Sequence, residues 1–145
     1  MRCVRLFSYG TLITGALSRD IDELLARHCR SRREGWIRGR LVNLGAYPAA
    51  LPAARRDERI YGQVLELDEP SRCLPLIDRC EGYDPRAPAK SLYVREFVRV
   101  NIASEPTPVH AWVYWLHQRP ARARPVPGGD YRAYLAGEAY EPGRS

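Results

Sequence analysis

The stretch Phe7-Ser8-Tyr9-Gly10-Thr11-Leu12 joins an apolar strand to a glycine turn, and it is the part of the sequence that decides the fold. The apolar residues before it predict a short strand ending near Phe7, and Gly10 suits a sharp change of chain direction. Successive main-chain N–H groups in such a turn form a concave site for a carboxylate or a developing oxyanion. We therefore expect a substrate to bind here, with the Thr11 hydroxyl as an additional donor.

A second motif, Leu76-Ile77-Asp78-Arg79-Cys80-Glu81-Gly82-Tyr83, lies at the predicted end of a helix. An acidic segment with a proline, at residues 68–70, is typical of a helix start. Leu74, Ile77 and Cys80 are predicted to form the apolar side of this helix. Cys80 is therefore expected to be a core thiol and not a nucleophile.

The remaining elements follow from hydrophobic periodicity. Alternation predicts two long strands joined as an antiparallel hairpin near the carboxy terminus, and a 3.6-residue period predicts an early helix. A Pro/Ala/Arg-rich loop is expected between the two middle strands. The predicted elements are a helix over Ser18–Cys29 and strands over Trp36–Leu44, Tyr61–Leu67, Tyr93–Ile102 and Val109–Leu116.

Taken together, the two motifs resemble the γ-glutamylcyclotransferase-like family, which includes the plant-type AIG2-like proteins. The resemblance spans most of the chain. It implies an α+β fold built on a mixed, mostly antiparallel β-barrel with flanking helices, whereas periodicity alone predicts only the α+β class. The other segments that follow the family's order are residues 36–51, 61–67, 93–95, 111–114 and 129–131.

Members of this family cyclise a γ-glutamyl group: its α-amine attacks its own γ-carbonyl, and 5-oxoproline and the free amine are released. The attacking amine must lose a proton and the departing amine must gain one, so one carboxylate can serve both steps. The resemblance implies that Glu81 is this catalytic residue and that no cofactor is needed. The substrate-binding residues that it implies are Tyr9, Gly10, Thr11, Leu12, Tyr47 and Tyr114.

Glu81 has a sequence context that suits a general base. It immediately precedes Gly82, which is expected to end the helix. The negative end of the helix dipole disfavours a carboxylate, and so does burial, so the pKa of Glu81 is predicted to rise toward neutrality. Spacing alone favours the alternative of a solvated glutamate in a last helical turn.

Three other side chains have open roles. Tyr47 and Tyr114 are predicted to line the pocket, and each is equally consistent with a core tyrosine whose hydroxyl is satisfied. Arg95 either steers an anionic substrate or, more simply, pairs with Glu96 or Glu66. The alternative function is a non-catalytic, small-ligand-binding or regulatory domain of the same fold.

Size and composition indicate one soluble domain. The chain has 145 residues, of which 45% are hydrophobic and 28% charged, and a chain of about this length forms a single core. We predict one domain over residues 1–137 and a carboxy-terminal tail over residues 138–145. No run approaches the roughly twenty apolar residues that span a membrane, so we expect a cytoplasmic protein with no membrane partner.

The formal net charge is +6, from 23 basic and 17 acidic residues. Basic residues that share one face indicate a nucleic-acid partner, but here the arginines are scattered over residues 30–33, 55–56 and 119–124. We therefore predict no nucleic-acid partner. The resemblance implies a small-molecule γ-glutamyl substrate, and a covered barrel is consistent with a monomer or weak homodimer.

The four cysteines, Cys3, Cys29, Cys73 and Cys80, match no close-paired zinc or redox spacing. The histidines likewise lack a paired ligand pattern, so no metal is predicted. All four cysteines are expected to be buried, reduced thiols.

Overall fold

The chain forms one sheet flanked by helices. The computed structural model describes residues 2–10, 19–45, 48–117 and 123–139. The helices in these ranges are α1 (Arg19–His28), α2 (Pro70–Cys80) and α3 (Tyr131–Ala139), with short 3₁₀ turns at Pro88–Lys90 and Pro127–Gly129. The strands are β1 (Cys3–Ser8), β2 (Cys29–Arg38), β3 (Arg40–Asn43), β4 (Pro48–Leu51), β5 (Arg59–Asp68), β6 (Tyr93–Ile102), β7 (Val109–Leu116) and β8 (Arg124–Pro125).

Five of the strands close into a barrel. The sheet order is β1-β5-β2-β6-β7-β4-β3-β8, and a further pairing of β1 with β7 completes the ring. Adjacent strands in the order β1-β5-β2-β6-β7 are antiparallel, whereas the β1–β7 pair that closes the ring is parallel. The prediction of an α+β fold with a mixed, mostly antiparallel barrel and flanking helices is confirmed.

Two apolar clusters stabilise this arrangement, because neighbouring residues on a strand point to opposite faces. Val64 of β5 belongs to a cluster formed mainly by barrel strands, together with Val100 and Val113. Leu65, the next residue, belongs to a second cluster that includes Ile77 of α2 and buried residues of α1. The sheet therefore has one face toward the barrel interior and one toward the helices. None of the helices in the described ranges has the length and apolar character needed to cross a membrane.

The predicted strand Trp36–Leu44 is wrong in its bounds. The structure has two strands there, β2 and β3, and they are separated at Gly39. A Cβ at Gly39 would lie 2.7 Å from Ile60 Cδ1 and 3.2 Å from the Leu51 main-chain oxygen, so the close packing at this break favours glycine. β2 also begins earlier, at Cys29, and the exposed residues of its first half, Arg30, Arg32 and Glu34, alternate with partly buried ones.

The predicted Pro/Ala/Arg-rich loop contains a strand that the sequence did not reveal. β4 pairs with β3 in antiparallel fashion and with β7 in parallel fashion, where Ala50 is opposite Trp115. Proline and alanine are poor strand formers, so propensity gave no signal. Ala49 and Ala50 are fully buried, which shows that tertiary packing holds this strand in place.

The cysteine prediction is correct for one residue and wrong for two. All four cysteines are reduced thiols, but only Cys73 is buried, whereas Cys3 and Cys80 are exposed and Cys29 is partly exposed.

A buried aspartate fixes the start of α2. Asp68, the last residue of β5, accepts hydrogen bonds from His28 Nδ1 at 2.6 Å and from Arg30 Nε at 2.5 Å. The hydrogen bonds with His28 and then Arg30 hold the pKa of Asp68 below its usual range. Because α2 begins two residues later, this contact joins its amino-terminal end to α1 and β2.

We predict that Gly62→Ala destabilises the protein. A Cβ at Gly62 would lie 2.2 Å from the Ser8 carbonyl oxygen and 2.9 Å from Phe7 Cζ, so β5 would have to move away from β1. Overpacking of this kind costs about 1 to 3 kcal/mol, which urea unfolding would measure.

Gly137→Ala is the matched control for this substitution. A Cβ at Gly137, in α3, meets no atom within 4 Å, and alanine is the better helix former by roughly 0.8 to 1 kcal/mol. Equal stability of the two variants would contradict the packing argument.

Candidate active site

The candidate site lies where two strands share one edge of β7. Leu6 of β1 pairs with Trp112, and Ala50 of β4 pairs with Trp115 further along the same strand. Between these two pairings β1 ends and the predicted glycine turn begins. The interruption of the sheet leaves room for a pocket.

This pocket brings the two sequence motifs together. It is a narrow cleft that is open to solvent, with a cavity volume of ≈ 20 Å³. Four predicted site residues line it, namely Tyr9, Gly10, Glu81 and Tyr114, whereas Thr11, Leu12 and Tyr47 lie outside the described residues. The other lining residues are Phe7, Ser8 and Pro48.

A larger cavity lies elsewhere, between β3, the start of β5 and the Pro127–Gly129 turn. Neither motif contributes a lining residue to it. Two of its charged residues satisfy each other, because Arg40 Nε donates to Glu58 Oε2 at 2.8 Å. The chemistry predicted from the sequence therefore belongs to the smaller pocket.

Tyr9 bridges the interruption in the sheet. Its hydroxyl donates to the main-chain oxygen of Tyr114 at 2.6 Å and accepts from the main-chain N–H of Ala50 at 3.3 Å. Burial raises the pKa of Tyr9 well above its usual value, so the hydroxyl keeps its proton. Tyr9 thus lines the pocket while its polar end holds β7 and β4 together.

Gly10 is needed for close packing. A Cβ at this position would lie 2.3 Å from Pro48 Cγ, whereas Gly10 is not among the residues with positive φ. Pro48 is in turn held by the Tyr93 hydroxyl, which donates to its carbonyl oxygen at 3.1 Å. The turn therefore packs directly against the first residue of β4.

Glu81 follows the last residue of α2, in a well-defined helix terminus. Gly82 has φ +66°, in the left-handed region. The N–H of Gly82 donates to the Arg79 oxygen at 3.2 Å, and the N–H of Tyr83 donates to the Asp78 oxygen at 2.8 Å. These are the two bonds of a Schellman motif, and they confirm the prediction that the helix ends at Gly82.

The helix geometry also explains why the Glu81 side chain lies on the inner side of α2 and the Cys80 side chain does not. Cys73, Ile77 and Asp78 are the buried residues of α2. Glu81 follows Ile77 by four positions, so it lies on the same side of the helix. Cys80 is rotated to the solvent side and is exposed, so its predicted place on the apolar side is wrong.

Asp78 is a site residue that the sequence analysis did not identify. Its carboxylate accepts from Arg95 Nε at 2.8 Å and Arg95 Nη2 at 3.1 Å, and from the Tyr114 hydroxyl at 2.5 Å. We call these three residues the Asp78 cluster. The predicted pairing of Arg95 with Glu96 or Glu66 is wrong, because the guanidinium donates instead to both carboxylate oxygens of the buried Asp78, on α2.

The position of Asp78 next to Ile77 on an amphipathic helix was the available signal for a buried carboxylate. Its partners lie on β6 and β7, far along the sequence. Arg95 is also held from the other side, with its guanidinium carbon 4.4 Å from the centre of the Trp112 ring. The cluster therefore fixes the end of α2 on the barrel.

The electrostatics of the pocket favour proton exchange at Glu81. Burial raises the pKa of Glu81 from 4.5 to about 7, and the negative charge of Asp78 adds to the rise. Burial and then the hydrogen bond to Asp78 raise the pKa of Tyr114 far above its usual value. At neutral pH Glu81 is thus able to accept or donate a proton, whereas Tyr114 remains protonated.

Within the described ranges, no three His, Cys, Asp or Glu side chains are grouped so that they could hold a metal ion. The ionisable groups of the pocket are instead a carboxyl and two phenols. This is a set suited to acid and base chemistry on a bound organic molecule.

The family described as gamma-glutamyl cyclotransferase, AIG2-like, matches residues 6–133, and the chain belongs to this family. The resemblance inferred from the two motifs is confirmed. A comparison with curated proteins gave no match.

Solved structures with the same fold include YkqA from Bacillus subtilis, at 20% identity and a TM-score of 0.66, covering 97% of this chain but only 44% of YkqA. The chain thus spans less than half the length of that protein. An AIG2-like protein from Mus musculus has 21% identity and a TM-score of 0.61, with 83% of this chain and 82% of that chain covered. A structure described as a gamma-glutamyl cyclotransferase has 14% identity and a TM-score of 0.57, with coverages of 99% and 91%. At these identities the likeness shows the fold.

We predict that Glu81→Gln stabilises the protein at pH 8 and not at pH 4. A carboxyl whose pKa is raised from 4.5 to about 7 in the folded state opposes folding once it ionises, so wild-type stability falls as pH rises through this window. The glutamine cannot ionise, and its advantage above pH 7 should be roughly 1 to 3 kcal/mol.

Urea unfolding of both proteins between pH 4 and pH 8 would measure this difference. Glu96→Gln, at an exposed position of β6, controls for the loss of a surface carboxylate. A difference between Glu81→Gln and wild type that stays constant with pH would contradict the raised pKa.

Proposed function

We propose that this protein is an enzyme of the γ-glutamylcyclotransferase type. It would convert a γ-glutamyl-amine or γ-glutamyl amino acid into 5-oxoproline and the free amine. The observation that carries the proposal is a carboxyl group, Glu81, whose pKa is raised to about 7 in a pocket that also contains the glycine turn. Membership of the family supports the same reaction.

The first step is the attack of the substrate's amine. Glu81 accepts a proton from the α-ammonium, and the freed nitrogen lone pair forms a bond to the γ-carbonyl carbon. The five-membered ring closes and the carbonyl oxygen becomes an oxyanion. Main-chain N–H groups near Gly10 are the donors that we assign to the oxyanion and to the α-carboxylate.

The second step releases the amine. Glu81 donates its proton to the departing nitrogen, the bond between that nitrogen and the γ-carbonyl carbon breaks, and the oxyanion collapses to the lactam carbonyl. The ring nitrogen gives its extra proton back to Glu81, which passes it to the solvent or the released amine. No external nucleophile, oxidant or reductant is consumed.

Physical chemistry supports a small site for this reaction. Both reacting groups belong to one molecule, so holding the γ-glutamyl chain in a folded conformation contributes much of the rate. The remaining requirement is a group that exchanges protons near neutral pH, since such a group is most effective when its pKa is close to the working pH.

We predict that the wild-type protein forms 5-oxoproline from at least one member of a panel of γ-glutamyl amino acids and γ-glutamyl-amines. Glu81→Gln keeps the shape of the side chain but removes the base, so its turnover should fall by about 10²- to 10⁴-fold. Mass spectrometry of 5-oxoproline measures both rates, and Glu96→Gln is the control.

Turnover by Glu81→Gln at the wild-type rate would overturn the role of Glu81. If the wild type forms no product but binds 5-oxoproline, the alternative of a non-catalytic ligand-binding domain of this fold is favoured. Thermal unfolding of each variant separates loss of chemistry from loss of structure.

A further inference from the structure

The Tyr114 hydroxyl lies within hydrogen-bond distance of the Asp78 carboxylate, at 2.5 Å from Oδ1. We propose that Asp78 is a positioning residue that makes Tyr114 a hydrogen-bond acceptor toward the pocket, so that the site selects ligands carrying an α-amino group. The inference deepens the proposed function and rests on it for the identity of the ligand. Its test, however, does not require turnover.

The direction of the hydrogen bond follows from the chemistry of the partners. The Asp78 carboxylate receives two hydrogen bonds from the Arg95 guanidinium, and an ionised carboxylate only accepts. The Tyr114 oxygen lies 2.5 Å from Asp78 Oδ1. A tyrosine hydroxyl has a single proton, so Tyr114 donates it to Asp78 and its oxygen has only lone pairs left to offer.

These lone pairs belong to a residue that lines the pocket. Tyr114 and Glu81 both line it, and both are acceptors when Glu81 is ionised. The other phenol in the pocket, Tyr9, uses its hydroxyl within the protein, where it donates to the Tyr114 main chain and accepts from Ala50. An ammonium group, which only donates, therefore matches the pair formed by Tyr114 and Glu81, whereas a carboxylate at this place would be repelled.

Arg95 keeps the arrangement from reversing. Its guanidinium donates to both carboxylate oxygens of Asp78, and the guanidinium carbon lies 4.4 Å from the centre of the Trp112 ring. The side chains of Arg95 and Asp78 are only 14% and 7% exposed. Rotation of Asp78 away from Tyr114 would break these contacts inside the protein, so the acceptor state of Tyr114 is set before a ligand arrives.

The test compares the binding of two ligands to the full chain carrying Glu81→Gln, which slows turnover but keeps a side-chain carbonyl oxygen that accepts a hydrogen bond beside Tyr114. The ligands are γ-glutamyl-ethylamide and N-ethylglutaramic acid, which is the same molecule without the α-amino group. Calorimetry gives the ratio of their dissociation constants. We expect the amino compound to bind about tenfold more tightly, a difference of about 1.4 kcal/mol.

Adding Asp78→Asn or Tyr114→Phe should bring this ratio close to one. The asparagine amide can donate to the Tyr114 oxygen and turn its proton toward the pocket, and phenylalanine has no acceptor. Because both changes act through one hydroxyl, the protein with both should lose no more discrimination than the one with Tyr114→Phe alone. Asp57→Asn, at an exposed position, is the matched control and should keep the ratio.

Three results would overturn the proposal: an unchanged ratio in the Tyr114→Phe protein, additive losses in the combined variant, or no binding of either ligand. Tyr114→Phe keeps the pair between Asp78 and Arg95, so the proposal stays testable if Asp78→Asn fails to fold. Failure of the proposed function is recognised separately, as absence of 5-oxoproline from wild-type protein.

Discussion

The hydrogen bonds that converge on the buried Asp78 carboxylate are the interaction on which the site depends. They come from β6 and β7, through Arg95 and Tyr114, and they hold the last turn of α2 against the barrel. Glu81 lies one residue beyond that helix, so its place in the pocket is a consequence of this contact. Removing one partner would leave a buried charge unpaired, which is far more costly than losing a surface ion pair.

The pocket itself results from an incomplete sheet. β1 and β4 use successive parts of one edge of β7, and the space between them is bridged by the Tyr9 hydroxyl in place of a main-chain hydrogen bond. Gly10 packs so closely on Pro48 that the turn and β4 form one wall. Tyr9, which supplies the missing hydrogen bonds between the strands, and Gly10 therefore also shape the opening in which a substrate would bind.

The sequence predicts the fold class and the two motifs at the pocket, because both depend on local patterns and a family resemblance. The sequence gives no signal for β4, because its alanines are held in a strand by burial and not by strand propensity. It also gives little signal for the first half of β2, where exposed arginines alternate with partly buried residues that are not strongly apolar. Asp78 was missed for a related reason. A carboxylate is unlike a core residue until its partners are known, and Arg95 and Tyr114 are brought to it only by the closure of the barrel.

Burial and then the negative charge of Asp78 raise the pKa of the Glu81 carboxyl to about 7, and the proposed chemistry depends on this shift. Carbon-13 NMR of the Glu81 side-chain carboxyl, followed from pH 3 to pH 9, measures this directly and needs no substrate. A midpoint about 7 is the result predicted here. A midpoint at the ordinary value of 4.5 would show a solvated glutamate and contradict the account of this site.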